Sequence, residues 1–327
     1  MGREERKLRK YFEERAKRER RLARKYSQTK QFSNDDQAGC EALVASVGPG
    51  CCEIEVAGQG RCLCRCSLDI APGDRVVFAA DRRKIVRVLP RRTVLSRPDP
   101  HNSRIERLIA ANIDVVVVVV SVKSPPLRPG LIDRYLIAIE RSGAGPLICV
   151  NKVDLSSECP DVEVYRQIGI PVLRCSATTG EGLEELVNAL AGKMCVLAGH
   201  SGVGKSSLLN ALAPGLGLAT STVSDAHNKG RHTTTAASLH RLANGAVIID
   251  TPGIREFGLW QVTADELGNY FPEIRILASR CNFRDCRHTQ EPSCAVKDGV
   301  ESGEIASHRY AAYLRILECV SRESPIY

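Results

Sequence analysis

The chain has 327 residues, 43% of them hydrophobic and 26% charged, which is enough for two or three domains with sizeable cores. Its longest apolar run, Val115 to Val120, falls far short of the ~20 residues of a membrane-spanning helix, and no apolar signal segment follows the charged N-terminus. A cytoplasmic protein with no membrane partner is therefore expected. The net charge of +8 is concentrated, because residues 1–31 hold 13 Lys/Arg against 5 Glu and the remainder balances.

Residues 1–35 are charged nearly all round and too polar to bury much, so they are expected to form a solvated, disordered or helical arm. In residues 36–97, five short β-prone runs (EALVASV, CCEIEVA, RCLCRCS, DRVVFAA, KIVRVL) are broken by Gly-Pro-Gly, Gly-Gln-Gly, Pro-Gly-Asp and Asp-Arg-Arg. That pattern predicts a small barrel, with an OB-fold and an SH3-like barrel giving the same signal. Cys62, Cys64 and Cys66 recur with period two and, with Cys51 and Cys52, are expected to pack as small apolar thiols.

After SRPDPHN, taken as a linker, residues 98–260 alternate between apolar runs (DVVVVVV, PLICV, VLRCSA, MCVLAG, AVIID) and helical stretches (LIDRYLIAIERSG, GLEELVNALA, KSSLLNALA). This predicts a parallel sheet covered by helices. Residues 261–327 are expected to be mostly helical, in TADELGNYF, AVKDGVESG and SHRYAAYLRILECV.

GHSGVGKSS fits the phosphate-binding pattern G-x-x-x-x-G-K-[ST] and lies between a predicted strand and a predicted helix, the context the motif requires. Gly199, Gly202 and Gly204 allow backbone N–H groups to converge on phosphate oxygens, and His200, Ser201, Val203 and Ser207 complete the loop. Lys205 is placed to bridge the β- and γ-phosphates, and Ser206 to ligate Mg²⁺.

The base is chosen elsewhere. In NKVD, Asp154 offers a carboxylate fork to the ring N–H and exocyclic amine of guanine, a donor pair adenine lacks. Asn151 is expected at the other edge of the base, Lys152 along the ring with Val153 beside it, and the backbone N–H of Ala177, after Ser176 in CSATTG, at the guanine O6. DTPG follows AVIID, putting Asp250 at a strand end to hold Mg²⁺ through water and Gly253 on the γ-phosphate. GRHTTT supplies the mobile threonines that close on Mg²⁺ with GTP, Thr234 before Thr233.

The motif order is NKVD, SAT, phosphate loop, TTT, DTPG, a rotation of the usual GTPase order. A doubly wound sheet tolerates such a rotation, because the site is built from the carboxyl ends of several strands. Ile254 stands where Ras-like enzymes carry the water-orienting glutamine, so intrinsic hydrolysis is expected to be slow. His232 is the nearest in-chain candidate to supply the missing group; an ordinary solvated loop histidine is the alternative.

CNFRDCRHTQEPSC presents Cys281, Cys286, His288 and Cys294, three thiolates and one imidazole that suit one closed, structural Zn²⁺. With reduced thiols elsewhere, this accounts better for the 14 cysteines than a disulfide framework would. Arg82, Arg83, Lys84, Arg87, Arg91, Arg92 and Arg97 cluster at the end of the barrel, and Tyr11, Phe12 and Tyr26 interleave the basic arm. Both features favour a phosphate-rich partner.

Together these motifs resemble the RsgA/YjeQ-type circularly permuted GTPases, from about residue 40 to about residue 320. The resemblance implies an OB-fold barrel, a permuted GTPase domain and a zinc-binding helical domain. It also implies a GTP hydrolase, monomeric, whose partners are the 30S ribosomal subunit and its 16S rRNA, binding in the GTP state with hydrolysis stimulated by the subunit. Its implied role is to time late 30S maturation and the release of assembly factors. Two alternatives stay open at this level: an RNA-binding, nucleotide-sensing scaffold with negligible turnover, and a large-subunit assembly GTPase.

Overall fold

The computed structural model describes residues 39–48, 50–79, 83–99, 102, 105–156, 162–214, 238–250 and 262–323. The five β-prone runs form β1 (Cys40–Gly48), β2 (Cys51–Val56), β3 (Gly60–Arg65), β4 (Arg75–Ala79) and β5 (Lys84–Val88). They close into a barrel in the order β1-β2-β3-β5-β4, sealed by antiparallel pairing of β4 with β1. A closed five-stranded circuit in which β3 runs parallel to β5 is the OB-fold connectivity, which decides between the two barrels the sequence allowed. Alternation turns Cys52, Ile54 and Val56 inward, and Cys64 faces Cys52 across the ladder with the sulfurs 3.2 Å apart. Cys62 and Cys66 pack partly buried against the same core, so these thiols act as small hydrophobes.

The sequence SRPDPHN is not simply a linker. Val94–Pro98 (β6) pairs antiparallel with Glu106–Ala111 (β7) in a separate two-stranded ribbon. The ribbon forms because Val94, Leu95, Ala110 and Ala111 have a buried face to cover, and Arg107 pairs with Asp99 at 2.6 Å beyond its end.

The next domain is a six-stranded sheet of order β10-β9-β8-β11-β13-β12, built from Val115–Ser121 (β8), Gly145–Asn151 (β9), Val172–Arg174 (β10), Met194–Ala198 (β11), Ser238–Arg241 (β12) and Val247–Asp250 (β13). All neighbours run parallel except β12, an antiparallel edge strand that the sequence reading had not placed. The valine run of β8 lies at the heart of this sheet, which explains its lack of polar alternation. Val116, Val118 and Val120 enter the core on one face, and Val117 and Val119 enter the core on the other.

Helix α1 (Pro129–Ser142) covers the first face with Ile132, Tyr135 and Ile139; it begins with Pro at its first turn and ends at Gly143, φ 85°. A short α2 (Glu163–Gln167) follows β9, while α3 (Leu183–Leu190) and α4 (Lys205–Leu212) cover the second face. The last domain holds α5 (Pro272–Ala278), α6 (Ala295–Glu301) and α7 (Ser307–Glu323) around a core that includes Phe271, Ile274, Val296 and Tyr313. TADELGNYF, expected to be helical, ends in one 3₁₀ turn, Leu267–Tyr270; the α-helix starts one step later, where Pro272 supplies a favourable first helical residue.

Polar contacts among the described residues join the domains. Arg61 of the barrel donates to the carbonyl of Leu239 on the sheet edge at 2.5 Å, and Arg241 returns a 2.6 Å pair to Glu55. At the opposite side, Arg309 of α7 is buried among Asp133 of α1, Glu273 of α5 at 2.7 Å, and the Phe271 ring, 4.6 Å from its guanidinium. Tyr165 donates to Asp133 at 3.0 Å, completing the network. The two carboxylates hold the Arg309 guanidinium charged against the opposing effect of burial. Arg309→Met leaves both carboxylates buried without their counter-ion. It is expected to cost about 3–5 kcal/mol in chemical denaturation, and a loss below about 1 kcal/mol contradicts this account.

Candidate nucleotide-binding site and metal centre

The sheet brings the carboxyl ends of β9, β10, β11 and β13 to one rim, and each end carries one of the sequence motifs. NKVD turns sharply off β9: Lys152 takes φ 63°, and Val153–Leu155 forms a 3₁₀ turn. The buried Asn151 side chain joins three loops. Its Nδ2 donates to the Val203 carbonyl in the phosphate loop at 2.9 Å, and its Oδ1 accepts from Ala177 N–H at 3.1 Å. A further bond from Val153 N–H to the Cys175 carbonyl, 3.3 Å, ties NKVD to SAT.

Ser176 is fully buried, and its hydroxyl donates to Asp154 Oδ1 at 2.5 Å while accepting from the N–H groups of Thr178 and Thr179. The exposed Asp154 carboxylate is thereby oriented, with its second oxygen directed away from this bond. Lys152 Nζ donates to the carbonyls of Ser124, 2.6 Å, and Gly202, 2.7 Å. Burial lowers its pKa from the ordinary lysine value, against the pull of Asp154 in the other direction.

The phosphate loop leaves β11 at Gly199 and enters α4 at Lys205. Two glycines are sterically required. A Cβ at Gly199, φ 148°, would lie 2.2 Å from the Val119 carbonyl, and one at Gly204, φ 92°, would lie 2.4 Å from Asn151 Nδ2. Lys205 Nζ donates to the Gly199 and His200 carbonyls at 2.7 and 2.9 Å, closing the loop. Ser206 and Ser207 follow in the first turn of α4, and His200 Nδ1 lies 2.8 Å from the Ser201 carbonyl. Asp250 ends β13 in register with β11, one residue past the Val196–Ile249 pair, beside the start of the loop. Ser206 and Asp250 are hard oxygen donors of the kind Mg²⁺ takes. Thr233, Thr234, His232, Gly253 and Ile254 lie outside the described residues.

The predicted metal ligands converge as well. The ligand atoms of Cys281, Cys286, His288 and Cys294 all lie within 4.8 Å of one another. The Cys281–Cys294 and Cys286–Cys294 sulfurs are 3.9 and 3.7 Å apart, and His288 Nδ1 lies 3.6 Å from Cys281 and 3.5 Å from Cys294. A tetrahedral ion with Zn–S near 2.3 Å requires sulfur separations of about 3.8 Å, so the set is compatible with zinc. Tyr310 and Tyr313 hydroxyls bond the carbonyls of His288 and Arg287, bracing the loop from α7. Glu291 accepts from the N–H groups of Arg287 and Thr289; burial opposes its ionisation, but these bonds prevail and hold its pKa down to about 2.

The basic cluster is not one surface. Arg91 is largely buried on Asp74 at 2.7 Å, and Arg92 pairs with Asp114 at 3.1 Å, so both serve the fold as well as the charge. Sequence reasoning missed the structural work of Asn151, the Ser124 carbonyl under Lys152, and the Arg309 network. Only the last had a local signal, an Arg at one-turn spacing from Tyr313 on an apolar helix face.

The rotated strand order, the phosphate loop and the guanine-type NKVD loop define a circularly permuted P-loop GTPase. The RsgA GTPase family profile matches residues 88–260. The "Small ribosomal subunit biogenesis GTPase RsgA" of Gemmatimonas aurantiaca is 44% identical over 258 residues, 76% of this chain and 84% of that protein. The protein of the same name from Yersinia enterocolitica is 41% identical over 314 residues, 89% of each chain. Among solved structures, YjeQ from Thermotoga maritima aligns with TM-score 0.69 at 34% identity, covering 86% of this chain and 98% of that one. YloQ, a circularly permuted GTPase, aligns with TM-score 0.68 at 28% identity over 91% and 100%. The chain belongs to the RsgA GTPase family and is a GTP hydrolase.

Asn151→Ala removes the partner of Ala177 N–H and of the Val203 carbonyl together. It is expected to cost about 2 kcal/mol in urea unfolding, and a loss within experimental error contradicts the role given to this side chain.

Proposed function

We propose that this GTPase acts in small ribosomal subunit biogenesis, binding the subunit and its rRNA in the GTP state. Hydrolysis is stimulated by the subunit and times late maturation and the release of assembly factors. The observation that carries this reading is the meeting of NKVD, SAT and the phosphate loop through Asn151, in a chain 44% identical to a protein named for that role.

Asp154, oriented by Ser176, accepts from the two guanine donors. The second N–H of Asn151 meets the other edge of the base, where the guanine O6 competes with Asn151 Oδ1 for the Ala177 N–H, and Lys152 and Val153 line the ring. Phosphate oxygens compete with the Gly199 and His200 carbonyls for Lys205, and the N–H groups of the loop from Gly199 to Ser207 face the phosphates. Ser206 and Asp250, with Thr234, would hold Mg²⁺, which neutralises charge on the β- and γ-phosphates. Gly253 bonds the γ-phosphate, and His232 helps to place the attacking water that Ile254 cannot orient.

Cys281, Cys286, His288 and Cys294 hold one structural Zn²⁺. The exposed Phe283, flanked in sequence by Arg284 and near Arg280, gives this domain an aromatic and basic face for RNA, alongside the basic arm and the OB barrel. The working protein is a cytoplasmic monomer, divided at about residues 35, 97 and 260. No helix among the described residues is long and apolar enough to cross a membrane.

Multiple-turnover phosphate release from GTP is expected to rise when purified small subunits are added and to stay basal with large subunits. No rise, or an equal rise with both, contradicts this function. Full-length protein purified without added metal is expected to release one zinc per chain on thiol modification and to melt at lower temperature afterwards. A chain that carries no zinc and is indifferent to chelators refutes the metal assignment.

A further inference from the structure

The turn that follows β8 carries none of the recognised GTPase motifs, yet the strand order puts it at the centre of the nucleotide rim. β8 lies between β9, which bears NKVD, and β11, which bears the phosphate loop. In register, Ser121 at the end of β8 stands opposite Asn151, and Val122 N–H donates to the Asn151 carbonyl at 3.1 Å.

From that foot the turn rises over the phosphate loop. The buried Ser121 hydroxyl donates to the Pro125 carbonyl at 2.7 Å, which fixes the turn on itself. At its tip the Ser124 carbonyl accepts from Lys152 Nζ at 2.6 Å, and the same ammonium reaches Gly202 at 2.7 Å. The Pro125 ring packs on the phosphate loop: its Cδ lies 3.5 Å from the place a Cβ would take on Gly202.

An ammonium has three N–H donors, and two are committed here, one to each side of a cleft between two loops. A lysine stem held at its end by two charge-assisted bonds gives up its rotamer freedom before any ligand arrives, so that entropy is not lost on binding. We propose that the Ser121–Pro126 turn is a positioning element for guanine nucleotides. Its Ser121 hydroxyl and Ser124 carbonyl fix Lys152 against the phosphate loop, leaving one N–H of the ammonium for the nucleotide. This rests on the guanine-nucleotide reading of the site and adds to it a loop that touches neither base nor phosphate.

Preorganisation of this kind serves GDP and GTP alike, because Lys152 lies along the guanine ring that both nucleotides carry. Removing it therefore weakens binding of both without changing the rate at which bound GTP is cleaved. The test compares wild type, Ser121→Ala, Ser121→Thr and Pro125→Ala as full chains. It measures equilibrium binding of fluorescent GDP and of a non-hydrolysable GTP analogue, single-turnover hydrolysis and the thermal midpoint.

Loss of one buried hydrogen bond is expected to weaken both nucleotides about five-fold in Ser121→Ala. Ser121→Thr, which keeps the hydroxyl, restores affinity, and Pro125→Ala at the half-buried tip shifts it in the same direction as Ser121→Ala. The single-turnover rate is unchanged throughout. Wild-type affinity in both Ser121→Ala and Pro125→Ala overturns the proposal. So does a loss in Ser121→Ala that tracks a lowered thermal midpoint, is not rescued by threonine and is absent from Pro125→Ala. A wild-type chain that binds neither nucleotide sinks this proposal and the parent reading together, and is told apart because no variant then differs.

Discussion

One buried amide holds the nucleotide rim together. Asn151 bonds the phosphate loop through the Val203 carbonyl and the SAT loop through Ala177 N–H, so three loops that leave three different strands become one surface. The rest follows from the need to place that amide. Gly204 must be glycine because a side chain there would strike Asn151, and Ser121 pairs with Asn151 at the end of the central strand. Buried amides with both ends satisfied are rigid, because breaking either bond leaves an unpaired polar group away from water. A site that must separate two similar bases gains from such rigidity, since selectivity depends on donors and acceptors staying where they are.

The rotated strand order changes what the rim is attached to. β13 ends at Asp250, and Val262 already lies in the core of the C-terminal domain. The same domain grips the back of the sheet through Arg309, Asp133 and Glu273, so its connection to the nucleotide site is doubled, once by the chain and once by a buried ion network. Buried ion networks hold one geometry well, because any displacement separates charges in a medium that screens them poorly. The barrel is held to the other edge by Arg61 and Arg241 on β12, the strand paired with β13. The domains on both sides of the GTPase sheet therefore rest on elements that begin or end at the nucleotide rim.

Much of this was legible in the sequence, for identifiable reasons. Motifs fixed by steric need, such as GHSGVGKSS, are readable because Gly199 and Gly204 tolerate no substitute. The five barrel strands and five of the six sheet strands were marked by β-branched runs between turn residues, and the cluster of Cys281, Cys286, His288 and Cys294 by its residue types and spacing. β12 was not, since SLHR has too few apolar residues to announce a strand and is stabilised by pairing with β13 and by Arg61. The β6–β7 ribbon was hidden by SRPDPHN, whose proline and asparagine argue for a loop while the burial of Leu95 and Ala110 decides otherwise. The turn after β8 carries no motif, because Lys152 meets it at the main-chain carbonyl of Ser124, which any residue could supply. Arg309 shares an apolar helix face with Tyr313, but only the fold shows it buried beneath Tyr165 and Phe271 and paired with two carboxylates.

The central claim is that loops scattered along a rotated chain form a single rim selective for guanine. Titration calorimetry of the full chain with GDP and with ADP, in magnesium buffer, tests it most directly. The Asp154 fork contributes two charge-assisted hydrogen bonds that adenine cannot make, so GDP is predicted to bind on the order of 100-fold more tightly or better. Equal affinity for the two nucleotides would contradict the account.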